Sequence, residues 1–251
     1  DEVGVYEMTS GRLVPVNDPS ALLLSDRLDM EDKEGSAISL VLQGLRAITV
    51  EIQALVTPNI QGIGKRTVSG IAFSRLQLLL GILQKRLRLY FGKQDVYINV
   101  VGEMKLEKGE GSASDLAVAL ALVSSLVCID IRSDTAFVGE VGLLGELRAV
   151  PYIEKRIQEA QRMGFSRVIS SRSIDNKRRR KSKSTTSKKQ HHGIEWIQCG
   201  TLRDAINEGL VRPIPKYPNR KKKKNENVPP SSGTLSELEL DEEDIEHNEF
   251  Q

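Results

Sequence analysis

The sequence predicts a mixed α/β fold, because segments with a helical spacing of apolar residues alternate with runs rich in β-branched residues. A chain of 251 residues, 39% hydrophobic and 28% charged, has the composition of a globular protein with one sizeable core or two modest ones. No stretch approaches the roughly 18 uninterrupted apolar residues that span a bilayer. We therefore expect a soluble protein with no membrane partner.

Strand patterns dominate the first half of the chain. DEVGVYEM and RLVPV predict short strands, and DPSALLLSDR predicts a helix capped by Asp18 or Ser20. SAISLVLQG and LRAITVEIQALV meet at Gly44 and predict a hairpin, and RTVSGI predicts a further strand. FSRLQLLLGILQKRLRLYFG has helical spacing up to Gly92, and DVYINVVGEM predicts the next strand.

The second half alternates helices and strands. A small-residue helix is predicted from about Ala113 to Cys128, and TAFVGEVGLLGELRAV then predicts a strand and a turn. YIEKRIQEAQRMGF predicts a helix that ends at Gly164. SRVISS, GIEWIQC and TLRDAINEGL predict strand, strand and helix, so we expect a compact domain over about residues 35–211 and a charged tail over 212–251.

The net charge is only +2, but the charged residues are strongly clustered along the chain. NKRRRKSKSTTSKK lies in a basic insertion at about 173–191, NRKKKK follows it, and an acidic run, ELELDEEDIEHNE, comes near the end. Such runs are typical of solvated, disordered segments, and the alternatives are a contact with nucleic acid or a nuclear-import signal.

Two cysteines, Cys128 and Cys199, provide neither a disulfide framework nor a paired-cysteine metal site, which indicates a reducing compartment. The opening DEVGVYEM lacks the basic and apolar regions of a signal peptide, and it has no initiator Met. We expect the chain to begin inside a longer protein, with any targeting segment upstream.

Two motifs have some residues of a ligand site but not the required pattern. QGIGKRT resembles a phosphate-binding loop, but Asn59 and Arg66 stand where that loop needs its first Gly and its Ser or Thr. His191 and His192 have no further ligands at metal spacing, so we expect solvated loop residues. The chain is therefore expected to hold no cofactor and no metal.

KGEGSASDLAVALALVSS delivers two serines, Ser112 and Ser114, to the start of a helix. A serine hydroxyl is a poor nucleophile without a base to take its proton. The simpler interpretation is that one of the two serines caps the helix and that Asp115 lies favourably in its first turn.

Several segments together resemble a known family. GSAISLVLQGLRAITVEIQALVTP, FSRLQLLLGILQKRL, QDVYINVVGEMKL, SDLAVALALVSS and GEVGLLGELRAVPYIEKRIQEAQRMGF are similar, in this order, to the C-terminal half of the bacterial-type RadA (Sms) DNA repair family. That half resembles the proteolytic domain of Lon, which implies a Lon-like fold of the ribosomal protein S5 domain 2 type. The resemblance makes residues 1–34 the end of a RecA-like ATPase core and its linker, and 35–211 the Lon-like domain.

Lon-type proteases use a Ser–Lys dyad, and the resemblance assigns its two positions in this chain. Ala113 falls on the nucleophile and Glu154 on the lysine, so both catalytic groups are missing. Lys155 is one residue further along the helix, which turns its side chain by about 100°. We expect a non-proteolytic scaffold, and the alternatives are a Lon-like serine peptidase and a protein-interaction module.

The resemblance also implies partners and a parent activity. The family forms ring-shaped oligomers, here expected to be hexameric, and drives branch migration on branched or single-stranded DNA together with a RecA-type recombinase. ATP, Mg and Zn are expected to bind the upstream part of the parent protein. The eukaryotic-looking extensions favour location in a mitochondrion or plastid, and the KKKK run makes the nucleus an alternative location.

Candidate DNA contacts are basic residues placed in loops or at turns. Lys65 and Arg66 lie in a Gly-rich loop, and Arg148 follows the GEVGLLGEL turn. The basic insertion adds four adjacent cations, namely Lys177, Arg178, Arg179 and Arg180. The alternative is solvated surface charge.

Overall fold

The computed structural model describes residues 6–9, 11–15, 34–44, 46–59, 62–102, 105–106, 110–172, 186–191 and 193–214. All of these lie in one compact unit, Asp1–Lys216, and the second unit, Tyr217–Gln251, lies outside the described residues. The predicted helix over 18–27 also lies outside them.

Twelve strands are present in the described part of the chain, and β1 and β2 pair only with each other. Their bounds are β1 Tyr6–Thr9, β2 Arg12–Pro15, β3 Ser36–Gln43, β4 Arg46–Pro58, β5 Arg66–Ser69, β6 Gln94–Val100, β7 Thr135–Val138, β8 Glu140–Val141, β9 Leu147–Arg148, β10 Arg167–Ser171, β11 Thr186–His191 and β12 Ile194–Cys199.

Eight of these strands form one mixed sheet in the order β11-β12-β10-β7-β3-β4-β6-β5. The predicted hairpin is its centre, because β3 and β4 pair antiparallel from Ser36↔Gln53 to Gln43↔Arg46. The parallel pairs are β3 with β7, β7 with β10, β10 with β12, and β5 with β6. Strands β8 and β9 form a separate short hairpin.

One face of the sheet packs against three helices: α1 (Phe73–Ile82), α3 (Asp115–Val127) and α5 (Leu202–Gly209). Helix α3 is buried from Asp115 to Ser125 and has no polar face, as expected for a central helix. Ala117, Ala119 and Ala121 are fully buried in this stretch. No helix in the described ranges is both long and apolar enough to cross a membrane.

The other face of the sheet is covered over only part of its width. Helix α4 (Ile153–Arg162) packs there on a second apolar cluster that includes Ile38, Val138 and Trp196, on strands β3, β7 and β12. Beyond this cluster the same face carries exposed side chains on the second half of β4 and on β6 and β5. We call this region the open face, and it consists of Gln53, Leu55, Thr67, Ser69, Tyr97 and Asn99.

The helix predicted to stop at Gly92 ends earlier. Helix α1 continues into a π-helical turn, Leu83–Leu87, and Arg88 then adopts a left-handed conformation with φ 62°. The apolar spacing continues past this point because Leu89 and Phe91 are buried outside the helix. Periodicity alone therefore overestimated the length of the helix.

Part of the basic insertion is ordered as a strand, which corrects the prediction of a disordered run. Residues 186–191 form β11 and pair antiparallel with β12, so the cationic run contributes backbone hydrogen bonds at the edge of the sheet. His191 is not a solvated loop residue, since its ring lies 5.7 Å from the ring of Trp196 in an edge-on arrangement. His192 lies outside the described residues.

Candidate functional site

The segment that carries the predicted nucleophile position is a single helical turn followed by the central helix. Helix α2, Glu110–Ala113, ends at Ala113, and Ser114 separates it from α3. The side chain of Ala113 is buried, and its carbonyl accepts a 2.7 Å hydrogen bond from the N–H of Gly139. This position therefore presents a buried methyl group beside a strand end.

Ser114 is not the helix cap that the sequence suggested. Ser114 makes no side-chain cap hydrogen bond, because its backbone is already helical at φ −91° and ψ −1°. Its hydroxyl donates instead to the carbonyl of Glu110 at 3.0 Å, and it accepts from the hydroxyl of Ser39. Ser114 thus joins the turn of α2 to β3. Ser112 lies within α2.

The predicted base position lies on the surface. Glu154 is exposed in the first turn of α4, and neighbouring Lys155 is also exposed, with its ammonium 5.6 Å from the ring of Tyr152. A carboxylate at a helix N-terminus interacts favourably with the helix dipole. Glu154 can therefore stabilise α4 without any catalytic partner.

A buried ion pair that the sequence did not predict connects the segment that contains Ala113 with the helix that contains Glu154. Arg156 is fully buried, and its two terminal nitrogens donate to the two carboxylate oxygens of Glu110 at 2.7 Å. The guanidinium also donates to the carbonyls of Leu40 and Pro151, and the N–H of Leu42 donates to Glu110 at 2.7 Å. Charge-assisted, bidentate pairs of this kind are the strongest side-chain hydrogen bonds. The pair joins α2, α4 and β3.

The sequence did contain a signal for this buried arginine. Arg156 falls in the apolar stripe of α4, at helical spacing with Ile153, Ile157 and Ala160. A charged residue on the buried side of an amphipathic helix requires a partner. That partner, Glu110, is 46 residues earlier in the chain, so helical spacing alone did not identify it.

A second buried carboxylate begins α3. Asp115 accepts from Arg75 on α1 through both of its oxygens and from the N–H of Val141 at 3.0 Å. Burial raises the pKa of Asp115 to about 6, against the opposing effect of Arg75 and the Val141 N–H. Asp115 therefore anchors the helix start through α1 and β8 as well as through the helix dipole.

Lys65 and Arg66 are placed differently at the β5 edge of the sheet. Lys65 is exposed, and its N–H donates to Asp95. Arg66 donates its guanidinium N–H groups to the carbonyls of Lys65, Phe91 and Gln94 at 2.6–2.8 Å. Lys65 is thus an exposed cation whose charge also acts on Asp95, whereas Arg66 binds backbone carbonyls.

Arg148 lies in the β8–β9 hairpin and not in the main sheet. Its guanidinium pairs with Glu146 at 2.9 Å and with Glu140 at 3.5 Å. These two carboxylates compete with a phosphate for the same cation. The four cations of the basic insertion, Lys177 to Arg180, lie outside the described residues.

Comparison with known proteins gives a family for the aligned part of the chain. A family model described as Subunit ChlI of Mg-chelatase matches residues 65–173. The protein named DNA repair protein RadA from Streptococcus pyogenes serotype M3 is 42% identical over 173 residues, which are 69% of this chain and 37% of that protein.

Two further relatives of the same name agree. That of Streptococcus pneumoniae is 44% identical over 168 residues, 67% of this chain and 39% of its own length. That of Brucella abortus is 41% identical over 165 residues, 66% of this chain and 34% of its own length. The chain spans little more than a third of the length of these curated relatives. Over the two thirds of its length that align, the chain belongs to the family of the DNA repair protein RadA.

Proposed function

We propose that this chain is a non-proteolytic, DNA-binding and oligomerising part of a RadA-type protein of DNA repair and recombination. The observation that carries the proposal is the 41–44% identity to relatives named DNA repair protein RadA. The parent protein is proposed to bind ATP with Mg and to carry Zn outside this chain, to act in branch migration, and to work with a RecA-type recombinase.

The geometry around Ala113 and Glu154 supports a non-proteolytic role. A buried methyl group provides no nucleophile, and the exposed carboxylate of Glu154 carries the wrong charge for the lysine of a Ser–Lys dyad. Glu110 and Arg156, which join the two segments, bind each other. No specific observation favours the peptidase alternative.

We propose a Lon-like fold of the ribosomal protein S5 domain 2 type, with self-association into a hexameric ring. The mixed sheet with helices on both faces is consistent with this fold class. Light scattering of the purified chain at micromolar concentration tests the ring: a mass several times that of one chain supports it, and a strictly monomeric species contradicts it.

DNA binding is proposed to depend on exposed cations. Lys65 is the best placed of the described candidates, because it is exposed, whereas Arg66 binds backbone carbonyls and Arg148 has two carboxylate partners. Lys177, Arg178, Arg179 and Arg180 would add sequence-independent affinity. Titration of branched, single-stranded and duplex DNA with the purified chain tests this proposal.

We also propose that the parent protein is located in a mitochondrion or plastid. Import of a tagged full-length parent protein into isolated organelles would test it. Recovery of the tagged protein in the nucleus alone would contradict it.

A further inference from the structure

The open face is a flat patch of three paired strands that no helix of the described chain covers. It lies on the same side of the sheet as α4, but α4 packs against β3 and β4 on the second apolar cluster, whereas Gln53 and Leu55 farther along β4 are exposed. Leu55 is 55% exposed and Tyr97 is 38% exposed, although their strand neighbours Ala54, Val96 and Ile98 are buried on the opposite face. Two large apolar side chains are therefore presented to solvent by a rigid scaffold.

The strand register places these side chains in two adjacent rows. Tyr97 pairs with Leu55 on one side and with Thr67 on the other. In the next row, Asn99 pairs with Gln53 and with Ser69. Neighbouring strands are about 4.8 Å apart and alternate residues about 6.6 Å apart. Each row is thus about 10 Å wide, and Tyr97 is at the centre of the first.

A third row at the end of the patch carries charge. Thr57 pairs with Asp95, and Lys65 lies beside Asp95 just before β5, on the side of the sheet shared by residues 67 and 69. Lys93 is exposed at the same end, where its carbonyl accepts from the N–H of Asn59. Asn59 and the N–H of Lys65 both donate to the carboxylate of Asp95. Two cations, Lys65 and Lys93, and the carboxylate of Asp95 therefore border a surface of otherwise neutral side chains.

We propose that the open face binds single-stranded nucleic acid, with a base stacked on Tyr97 and the phosphates directed toward Lys65. The inference rests on the DNA-binding function proposed above, and it names the site and the strandedness of the ligand. An aromatic ring on an open sheet face, surrounded by amide and hydroxyl groups, offers both stacking and hydrogen bonds to unpaired bases.

The composition of the face favours a single strand over other occupants. In a duplex the bases are stacked and paired, so a flat aromatic platform meets no free base face, and a duplex would be held mainly by cations. A protein partner would require a larger apolar centre than Leu55 and Tyr97 provide. The face has one aromatic stacking group, four neutral polar side chains and cations at one edge.

Tyr97→Ala and Tyr97→Phe test the stacking directly in the full chain. A fluorescein-labelled oligothymidylate of about 15 nucleotides fits the site sizes of single-strand-binding folds. We expect Tyr97→Ala to weaken its binding about tenfold in an anisotropy titration, and Tyr97→Phe to stay within about twofold, because the ring is retained. Tyr152→Ala is the matched control, since Tyr152 is another exposed tyrosine and lies directly before α4, not on the three strands of the open face. It should leave the affinity unchanged.

An abasic oligomer of the same length separates stacking from a structural effect. It keeps the phosphates and lacks the bases, so Tyr97→Ala should not weaken its binding. Equal weakening on both oligomers, or unchanged binding of oligothymidylate, would overturn the inference while the DNA-binding function stands. If the native chain binds neither oligomer nor duplex, the proposed function and this inference both fail.

Discussion

Replacement of Arg156 by alanine should destabilise the fold strongly, although Arg156 is not one of the proposed ligand contacts. The guanidinium is 0% exposed and binds both oxygens of Glu110, whose side chain is 19% exposed. It also satisfies the carbonyls of Leu40 and Pro151. The alanine variant would leave a carboxylate and two carbonyl groups without these donors.

The size of the effect follows from burial. Removing one partner of a buried ion pair costs about 3–5 kcal/mol of unfolding free energy. Because Glu110 retains some contact with water, we expect the lower end, about 3 kcal/mol. For a domain of this size, each kcal/mol lowers Tm by about 2–4 °C, so the melting temperature should fall by about 6–12 °C.

Urea unfolding followed by circular dichroism measures this change. Arg148→Ala is the control, because Arg148 is 56% exposed and its partners Glu140 and Glu146 are 33% and 37% exposed. We expect the control to cost at most about 1 kcal/mol. In the double variant Glu110→Ala with Arg156→Ala, the loss should be smaller than the sum of the single losses. An Arg156→Ala cost no larger than that of the control would refute the assignment of a buried, stabilising pair.

Three further predictions concern α3 and its surroundings. The Ala113→Ser variant should not cleave casein, because Glu154 stands at the position that the resemblance gives to the base. Cleavage by either the native chain or this variant would contradict the non-proteolytic proposal. Burial raises the pKa of Asp115 to about 6, so the folded state binds its proton more tightly than the unfolded chain does. The stability that this proton contributes is complete below the ordinary pKa of 3.8 and is lost as pH rises through about 6. In urea unfolding measured at several pH values, Asp115→Asn should remove this pH-dependent component. An identical pH dependence of the native chain and the variant would argue against it. Gly209→Ala should cost about 1–3 kcal/mol, because a Cβ there would lie 2.5 Å from Leu120 Cδ2 and 2.7 Å from Phe137 Cε1, and unchanged stability would show that the helix can shift.

The elements with strong periodicity could be predicted from the sequence. The β3–β4 hairpin, the strands β6, β10 and β12, and the helices α4 and α5 all follow local apolar patterns, and the structure confirms them. The mixed α/β class follows from their order and is confirmed as well.

Features that depend on distant partners could not be predicted in this way. TSKKQH is polar and contains two lysines, and it becomes β11 only because the backbone of β12 provides hydrogen bonds at an open sheet edge. The role of Arg156 depends on Glu110, which approaches only when α2 and α4 meet at β3. The open face, in turn, follows from where α4 stops covering the sheet, which no single segment encodes.

DNA binding across a salt series tests the central proposal most directly. The purified native chain, Lys65→Ala and Lys85→Ala would be titrated with single-stranded and duplex DNA at several salt concentrations; Lys85 is an exposed lysine in the π-helical turn and serves as the control. We predict that log K falls linearly with log salt for the native chain, and that Lys65→Ala lowers the slope by about one unit while Lys85→Ala does not. Absence of DNA binding by the native chain at low salt would contradict the proposed function.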